Sequence, residues 1–162
     1  MTRIHELRPI QKGDNAAMAR IIREVMPEFG ADGAGFAITD PEVDCLFEAY
    51  AAAGSGYFVV VADGVVAGGA GYGPLAGGAR DVCELRKMYF LPGMRGLGLG
   101  RRMLALVVES ARRDGYKKIY LETLGRMDDA GRLYLAAGFR ALCSPMGDTG
   151  HCGCDSWYAM DL

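Results

Sequence analysis

The sequence has no long apolar run. Its longest, Tyr57 to Gly71, is broken by Asp63-Gly64 and is too short to span a bilayer. The first nine residues carry Arg3, His5, Glu6 and Arg8 with no apolar stretch, so no export signal is read there. A cytoplasmic protein with no membrane partner is therefore expected. Neither sign of charge dominates. Eighteen Lys and Arg against 20 Asp and Glu give a formal net charge of −2, which argues against a general nucleic-acid binder. Cysteine is neither dense nor even in number: five in 162 residues exclude the disulfide framework of a small secreted scaffold. A Gly-Lys-Ser/Thr triplet is absent, and with it a P-loop. There are no internal repeats and no low-complexity tails.

What is present suits one globular domain spanning 1–162, with 51% hydrophobic residues to build its core. Arg3 to Arg8 alternates as a short strand ending at Pro9. Asp14 to Val25 has Met18, Ile21, Ile22 and Val25 at helical spacing, with Asp14 as N-cap. A glycine- and alanine-rich loop, Glu28 to Ile38, leads to a second helix starting at Pro41 and capped by Thr39 or Asp40. Its apolar side would carry Val43, Leu46, Phe47 and Tyr50. Strands follow at Tyr57–Ala62 and Val65–Tyr72, joined at the hairpin signal Asp63-Gly64, and then at Val82–Leu91. Gly98 to Asp114 reads as the clearest helix, with Gly115 placed to end it. A strand at Lys117–Thr123 and a helix at Asp128–Ala137, with Leu133, Tyr134 and Ala137 inward, precede two last strands at Phe139–Cys143 and Ser156–Met160. Hairpins mixed with one β-α-β crossover make the fold class α+β (mixed α/β) rather than a repeating βα array.

The densest chemistry lies between a strand and a helix, at Arg95-Gly96-Leu97-Gly98-Leu99-Gly100 followed by Arg101. A helix start presents N–H groups with no intrahelical partner and a partial positive charge. Glycines there let a ligand approach the backbone, so the turn suits a pyrophosphate. A turn with solvated arginines would look similar. A dinucleotide fold wants G-x-G-x-x-G, but the third position holds Arg101. Glu122 does end the next strand as that fold would like, yet too few βα units follow. A third reading is acyl-CoA.

The flanks support that reading. Glu84-Leu85-Arg86-Lys87-Met88-Tyr89-Phe90-Leu91-Pro92 followed by Arg95 to Gly100 resembles the fourth strand and motif A of the GNAT superfamily of N-acetyltransferases. Its Q/R-x-x-G-x-G/A signature is filled by Arg95, Gly98 and Gly100. Leu133-Tyr134 and Gly138-Phe139 are similar to that family's motif B. The resemblance covers nearly the whole chain and is closest to bacterial enzymes of the small-molecule and amino-acid type. It implies a central mixed, mostly antiparallel sheet of about seven strands with about four helices, splayed between strands four and five. It further implies acetyl-CoA as co-substrate, with no metal. Gly96, Leu97, Gly98, Leu99 and Gly100, with Arg95 and Arg101, would hold the pyrophosphate. The backbone of Met88, Tyr89 and Phe90 would pair with the pantetheine arm, and an N–H at Met88 or Phe90 would form the oxyanion hole. A homodimer is a family expectation only.

Acetyl transfer to an amine needs a proton acceptor, because an alkylammonium has a pKa of about 10. Glu84, eleven residues before Arg95, is the first candidate; the alternative is a structural ion pair with Arg86 or Lys117. Tyr134 resembles the motif B tyrosine that protonates or hydrogen-bonds the CoA thiolate; the alternative is a core tyrosine. One departure stands out: the asparagine often found seven residues before that tyrosine is replaced by Met127, so its contact to the cofactor arm is either absent or supplied by another residue such as Glu122 or Thr123. Substrate contacts are expected from Phe29, Arg86, His151 and Asp155, with His151 able to share the base role. Arg86, Lys87 and Arg132 together with Glu84 would suit an amine that also bears a carboxylate. A metal or a catalytic cysteine in the His151–Asp155 loop is the lesser reading beside a tight hairpin. The alternatives to a small-molecule acetyltransferase are a protein-lysine acetyltransferase and a non-catalytic acyl-CoA sensor.

Overall fold

The computed structural model describes residues 4–162. Seven strands form one sheet: β1 (His5–Pro9), β2 (Gly56–Ala62), β3 (Val65–Pro74), β4 (Val82–Phe90), β5 (Lys118–Thr123), β6 (Arg140–Leu142) and β7 (Ser156–Asp161). The spatial order is β1-β2-β3-β4-β5-β7-β6. Every neighbouring pair is antiparallel except β4 and β5, whose crossover helix forces them parallel. Four α-helices complete it: α1 (Asn15–Val25), α2 (Leu46–Ala49), α3 (Leu99–Arg113) and α4 (Asp128–Ala136). None is long and apolar enough to cross a membrane.

Two cores lie against the sheet, because side chains alternate across it. On one face, Leu99, Met103, Leu104 and Val107 of α3 pack on Cys83 and Leu85 of β4 and on Ile119 and Leu121 of β5. Another core joins Met18, Ile21, Ile22 and Val25 of α1 with Tyr57, Val59 and Val61 of β2. The helical spacings read from the sequence are therefore the buried stripes. Local details differ. Asp14 does not cap α1 with its side chain; the carboxylate accepts from Gln11 N–H at 2.8 Å and pairs with Arg8 at 2.7 Å. The expected helix from Pro41 breaks into a 3-10 turn, Pro41–Asp44, and the single turn of α2, leaving Phe47 exposed. Asp40 takes the N-cap position of that 3-10 turn as expected, but its side chain makes no capping bond and is drawn to Lys87 and His151. Ala137 lies past the end of α4 and is exposed.

The glycines of β3 have a packing reason. A Cβ at Gly69 or Gly71 would meet the Tyr57 ring at 2.7 or 2.5 Å, so their absence lets that ring lie across the strand. The Tyr57 hydroxyl thereby reaches the Lys87 carbonyl at 2.8 Å. Lys87 is where β4 departs from regularity. Gly69 faces Tyr89 and Gly71 faces Arg86, so Ala70 stands opposite both Lys87 and Met88. Lys87 absorbs the extra residue at φ 48°, a left-handed conformation uncommon for a side-chain-bearing residue. The bulge bends β4 away from β5. The two pair only over Val82–Glu84 against Lys118–Tyr120, although β5 stays paired with β7 to Thr123. The sheet is thus open beyond Glu84, at the expected splay between strands four and five.

Candidate active site

The open seam leads into a cavity lined by Glu84, Arg86 and Met88 of β4, Leu121 and Glu122 of β5, and Tyr134 of α4, with further residues from two loops. Phe29, Phe36 and Ala37 come from the segment after α1; His151 and Cys154 come from the β6–β7 loop. The loops meet: Gly153 N–H donates to Gly35 C=O at 3.0 Å, and a Cβ at Gly153 would strike the Phe36 ring at 2.6 Å. They close over that side of the cavity.

A cluster of half-buried charge around the buried Lys87 ties the loops to the bulge. The Lys87 side chain is 2% exposed and donates to Asp40 at 2.7 Å and to Glu42. Asp40 also faces His151 Nε2, at 3.0 and 3.1 Å from its two oxygens. Burial pushes the Asp40 carboxyl upward, but hydrogen bonds from His151 and Lys87 outweigh it and hold the group below its ordinary value. The same bond to Asp40 raises His151, against the opposing effect of burial.

Glu84 is 5% exposed and accepts Arg86 Nε at 2.9 Å; Arg86 also donates to the Pro74 carbonyl. The ion pair considered for Glu84 is therefore present, within the cavity wall. Glu122 differs. Its Oε1 is buried without a hydrogen-bond partner among the described residues. Burial raises its pKa, Glu84 adds to the rise, and a hydrogen bond from Thr149 opposes it. One atom each of Glu84, Glu122 and His151 lie within 4.8 Å of one another. Glu122 and Asp40 are the site residues the sequence did not assign to this chemistry. The available signal for Glu122 was a carboxylate in the otherwise apolar Ile119–Leu121 strand, two residues from Tyr120 and so on its face.

Tyr134 is buried, packed 5.9 Å from the Phe139 ring and 5.7 Å from that of Tyr158. Burial raises the pKa of its hydroxyl, so the group stays protonated and available as a hydrogen-bond donor. Cys154 is raised to about 12 by burial, so the cavity's thiol is not held as a thiolate nucleophile. Phe29, Arg86 and His151 line the cavity; Asp155 lies outside that lining, where its carboxylate accepts from Gly125 N–H at 2.7 Å and braces the turn after β5. The cations expected for a substrate carboxylate are all engaged: Arg86 by Glu84, Lys87 by Asp40 and Glu42, and Arg132 by Asp129 on the exposed side of α4. Met127 lies at the start of α4, with its sulfur 3.6 Å from the Thr123 hydroxyl.

At the other end of the seam, the turn before α3 presents its backbone outward. Gly96 and Gly98 take φ 73° and 74°, and a Cβ on either would meet nothing within 4 Å. The first bond into the helix runs from Arg102 N–H to Gly98 C=O at 3.2 Å, leaving the N–H groups of Leu99, Gly100 and Arg101 ahead of the ladder. Leu99 buries its side chain under the helix. Arg95 folds back, donating to Phe90 C=O at 3.1 Å and to Glu28 at 2.9 Å, with its guanidinium 5.6 Å from the Phe29 ring centre. The outward N–H groups of the turn thus follow the end of β4, whose Glu84 and Met88 line the cavity.

The family model of the acetyltransferase (GNAT) family matches residues 18–139. The chain belongs to the GNAT family. It is 41% identical over 150 residues to the uncharacterised N-acetyltransferase YjgM of Escherichia coli (strain K12), covering 92% of this chain and 90% of that one. Among solved structures it resembles a GNAT-family acetyltransferase of Staphylococcus aureus Mu50, with TM-score 0.81 at 17% identity, over 98% of this chain and 99% of the other. It also resembles a phosphinothricin acetyltransferase of Sinorhizobium meliloti solved with AcCoA, with TM-score 0.78 at 20% identity, over 98% and 88%. These last two show the shared fold. Family membership makes the chain an acetyl-CoA-dependent N-acetyltransferase.

Proposed function

We propose that this GNAT enzyme transfers the acetyl group of acetyl-CoA to the amine of a small molecule, by direct attack within a ternary complex. The observation that carries the small-molecule reading is the meeting of the two loops, Gly153 on Gly35 and His151 on Asp40. A cavity walled in this way suits a compact amine better than an extended peptide. The pyrophosphate is held by the outward N–H groups from Gly96 to Arg101, and the acyl arm follows Phe90, Tyr89 and Met88 into the seam. The bulge at Lys87 leaves the Met88 N–H free of regular pairing, which suits it to stabilise the oxyanion. Tyr134, on the α3–α4 side of the seam, donates to the departing thiolate. The amine enters from the opposite side, where Glu84 and Glu122 await its positive charge.

An amino-acid acceptor would have to displace Glu84 from Arg86 to place its carboxylate. A plain amine needs no such exchange, so the fixed charges favour acceptors without a carboxylate. A thiol-release assay across polyamines, aminoglycosides, amino acids and a lysine peptide tests the reading. Turnover of one of the small amines supports it. Turnover of the peptide alone, or acetyl-CoA binding without release of CoA on any amine, overturns it.

A further inference from the structure

Glu84, Glu122 and His151 form a triangle whose atoms are no more than 4.8 Å apart. Three points so placed always share a position within about 2.8 Å of each, an ordinary hydrogen-bond length for an ammonium nitrogen. A primary ammonium has three N–H donors to offer. The corners are not equivalent, however. Glu84 is engaged by Arg86 and His151 by Asp40, so protonating Glu84 would break an ion pair that the fold has already made. Glu122 has one buried oxygen, Oε1, with no donor among the described residues. Burying such an oxygen unpaired is unfavourable, and a ligand that brings an N–H relieves it.

We propose that Glu122 of β5 is the catalytic base, receiving the acceptor amine as an ammonium ion and taking its first proton, while Glu84 only holds the amine in place. This rests on the amine-acetyltransferase reading above. The ammonium gives one proton to the Glu122 carboxylate. The freed nitrogen lone pair attacks the thioester carbonyl carbon, the C–N bond forms, and the C–S bond breaks with its electron pair leaving on sulfur. The thiolate is protonated by Tyr134, which is restored through solvent by the second proton from nitrogen. Glu122 returns its proton to water as the amide leaves. The balance is one amide, one CoA thiol and one proton released. Burial raises the proton affinity of Glu122, which suits the role. The groups facing it are Glu84 from β4 and Thr149, His151 and Cys154 from the β6–β7 loop.

The test compares Glu122→Gln, Glu122→Asp and Glu84→Gln with the unaltered enzyme. It reads kcat/KM against pH for the best amine and acetyl-CoA affinity by calorimetry. Glu122→Gln should lower kcat by about 100-fold or more with acetyl-CoA affinity unchanged. The acidic-side ionisation of the profile should vanish in that variant, return in Glu122→Asp and persist in Glu84→Gln. If Glu84→Gln removes that ionisation instead, or Glu122→Gln leaves the profile as it was, the assignment is overturned while the acetyltransferase reading stands. Loss of activity in EDTA with recovery on a divalent ion would make the triangle a metal site and also overturn it. If the unaltered enzyme acetylates no amine, the functional reading falls and this assignment with it.

Discussion

Lys87 and Asp40 are 47 positions apart in the chain, yet their side chains meet at 2.7 Å under the bulge of β4. Because Asp40 also holds His151, and Glu42 also holds Lys87, one half-buried cluster fastens the segment after α1, the bulge and the β6–β7 loop together. The strained backbone at Lys87 is kept in place from two directions, by this side-chain cluster and by the Tyr57 hydroxyl on its carbonyl.

Replacing Lys87 by Met should therefore cost more than a surface charge would. It leaves Asp40 and Glu42 without their shared cation, and because both carboxylates are partly solvated and keep His151 and Tyr50 as partners, a loss of about 1–2 kcal/mol is expected. Urea unfolding should show this as a lower midpoint with an unchanged slope. Turnover should fall in the same variant, because the bulge that aims the Met88 N–H loses its tether.

The turn before α3 should respond unequally to two similar changes. At Gly98, φ 74° makes Ala unfavourable by about 1–2 kcal/mol although there is space for its methyl group. The resulting shift of the turn should weaken acetyl-CoA binding about tenfold. At Gly100 the backbone is helical, and a Cβ would meet the movable Leu133 Cδ2 at 3.2 Å. The helix-propensity gain of about 1 kcal/mol should offset that contact. Calorimetric titration of both variants with acetyl-CoA checks the contrast.

Stability should depend on His151. Its pKa is raised by Asp40 in the folded state, so its contribution is fully present below the unfolded value of about 6.5 and fades as pH rises through the folded value. Asp40, Glu84, Lys87 and Glu122 all face it, so the profile belongs to the group. Unfolding curves on either side of neutrality should show the unaltered protein losing stability towards alkaline pH, and a His151→Gln variant losing less.

Tyr134→Phe keeps the ring that packs on Phe139 and Tyr158 and removes only the hydroxyl. Turnover should fall at least about tenfold with acetyl-CoA affinity nearly unchanged. Equal turnover in steady-state assays would remove the acid role.

Much of this fold was legible because its signals are local. The Asp63-Gly64 hairpin, the stripes of α1 and α3 and the Gly98 turn are each set within a few residues. The features that make the cavity specific are not local. The bulge sits at a lysine, which no turn signal marks, and exists because Tyr57, Asp40 and Glu42 hold it. The weak helix after Pro41 yields because Asp40 serves Lys87 and His151 instead of a cap. Arg86 and Lys87 look like substrate cations in the sequence, and only the packed strands reveal that each has its own acid. Glu122 gains its importance from the seam: β5 runs on past its last pairing with β4 at Tyr120, and Glu122 lines the cavity that opens there.

The most direct measurement is a crystal structure with CoA and a turned-over amine bound together. The pyrophosphate is expected on the N–H groups from Gly96 to Arg101, the sulfur within hydrogen-bond reach of the Tyr134 hydroxyl, and the amine nitrogen between Glu84 and Glu122. CoA lodged elsewhere, such as the groove lined by Leu7, Phe47, Tyr57 and Arg113, or an amine on the Tyr134 side of the sheet, would contradict that placement.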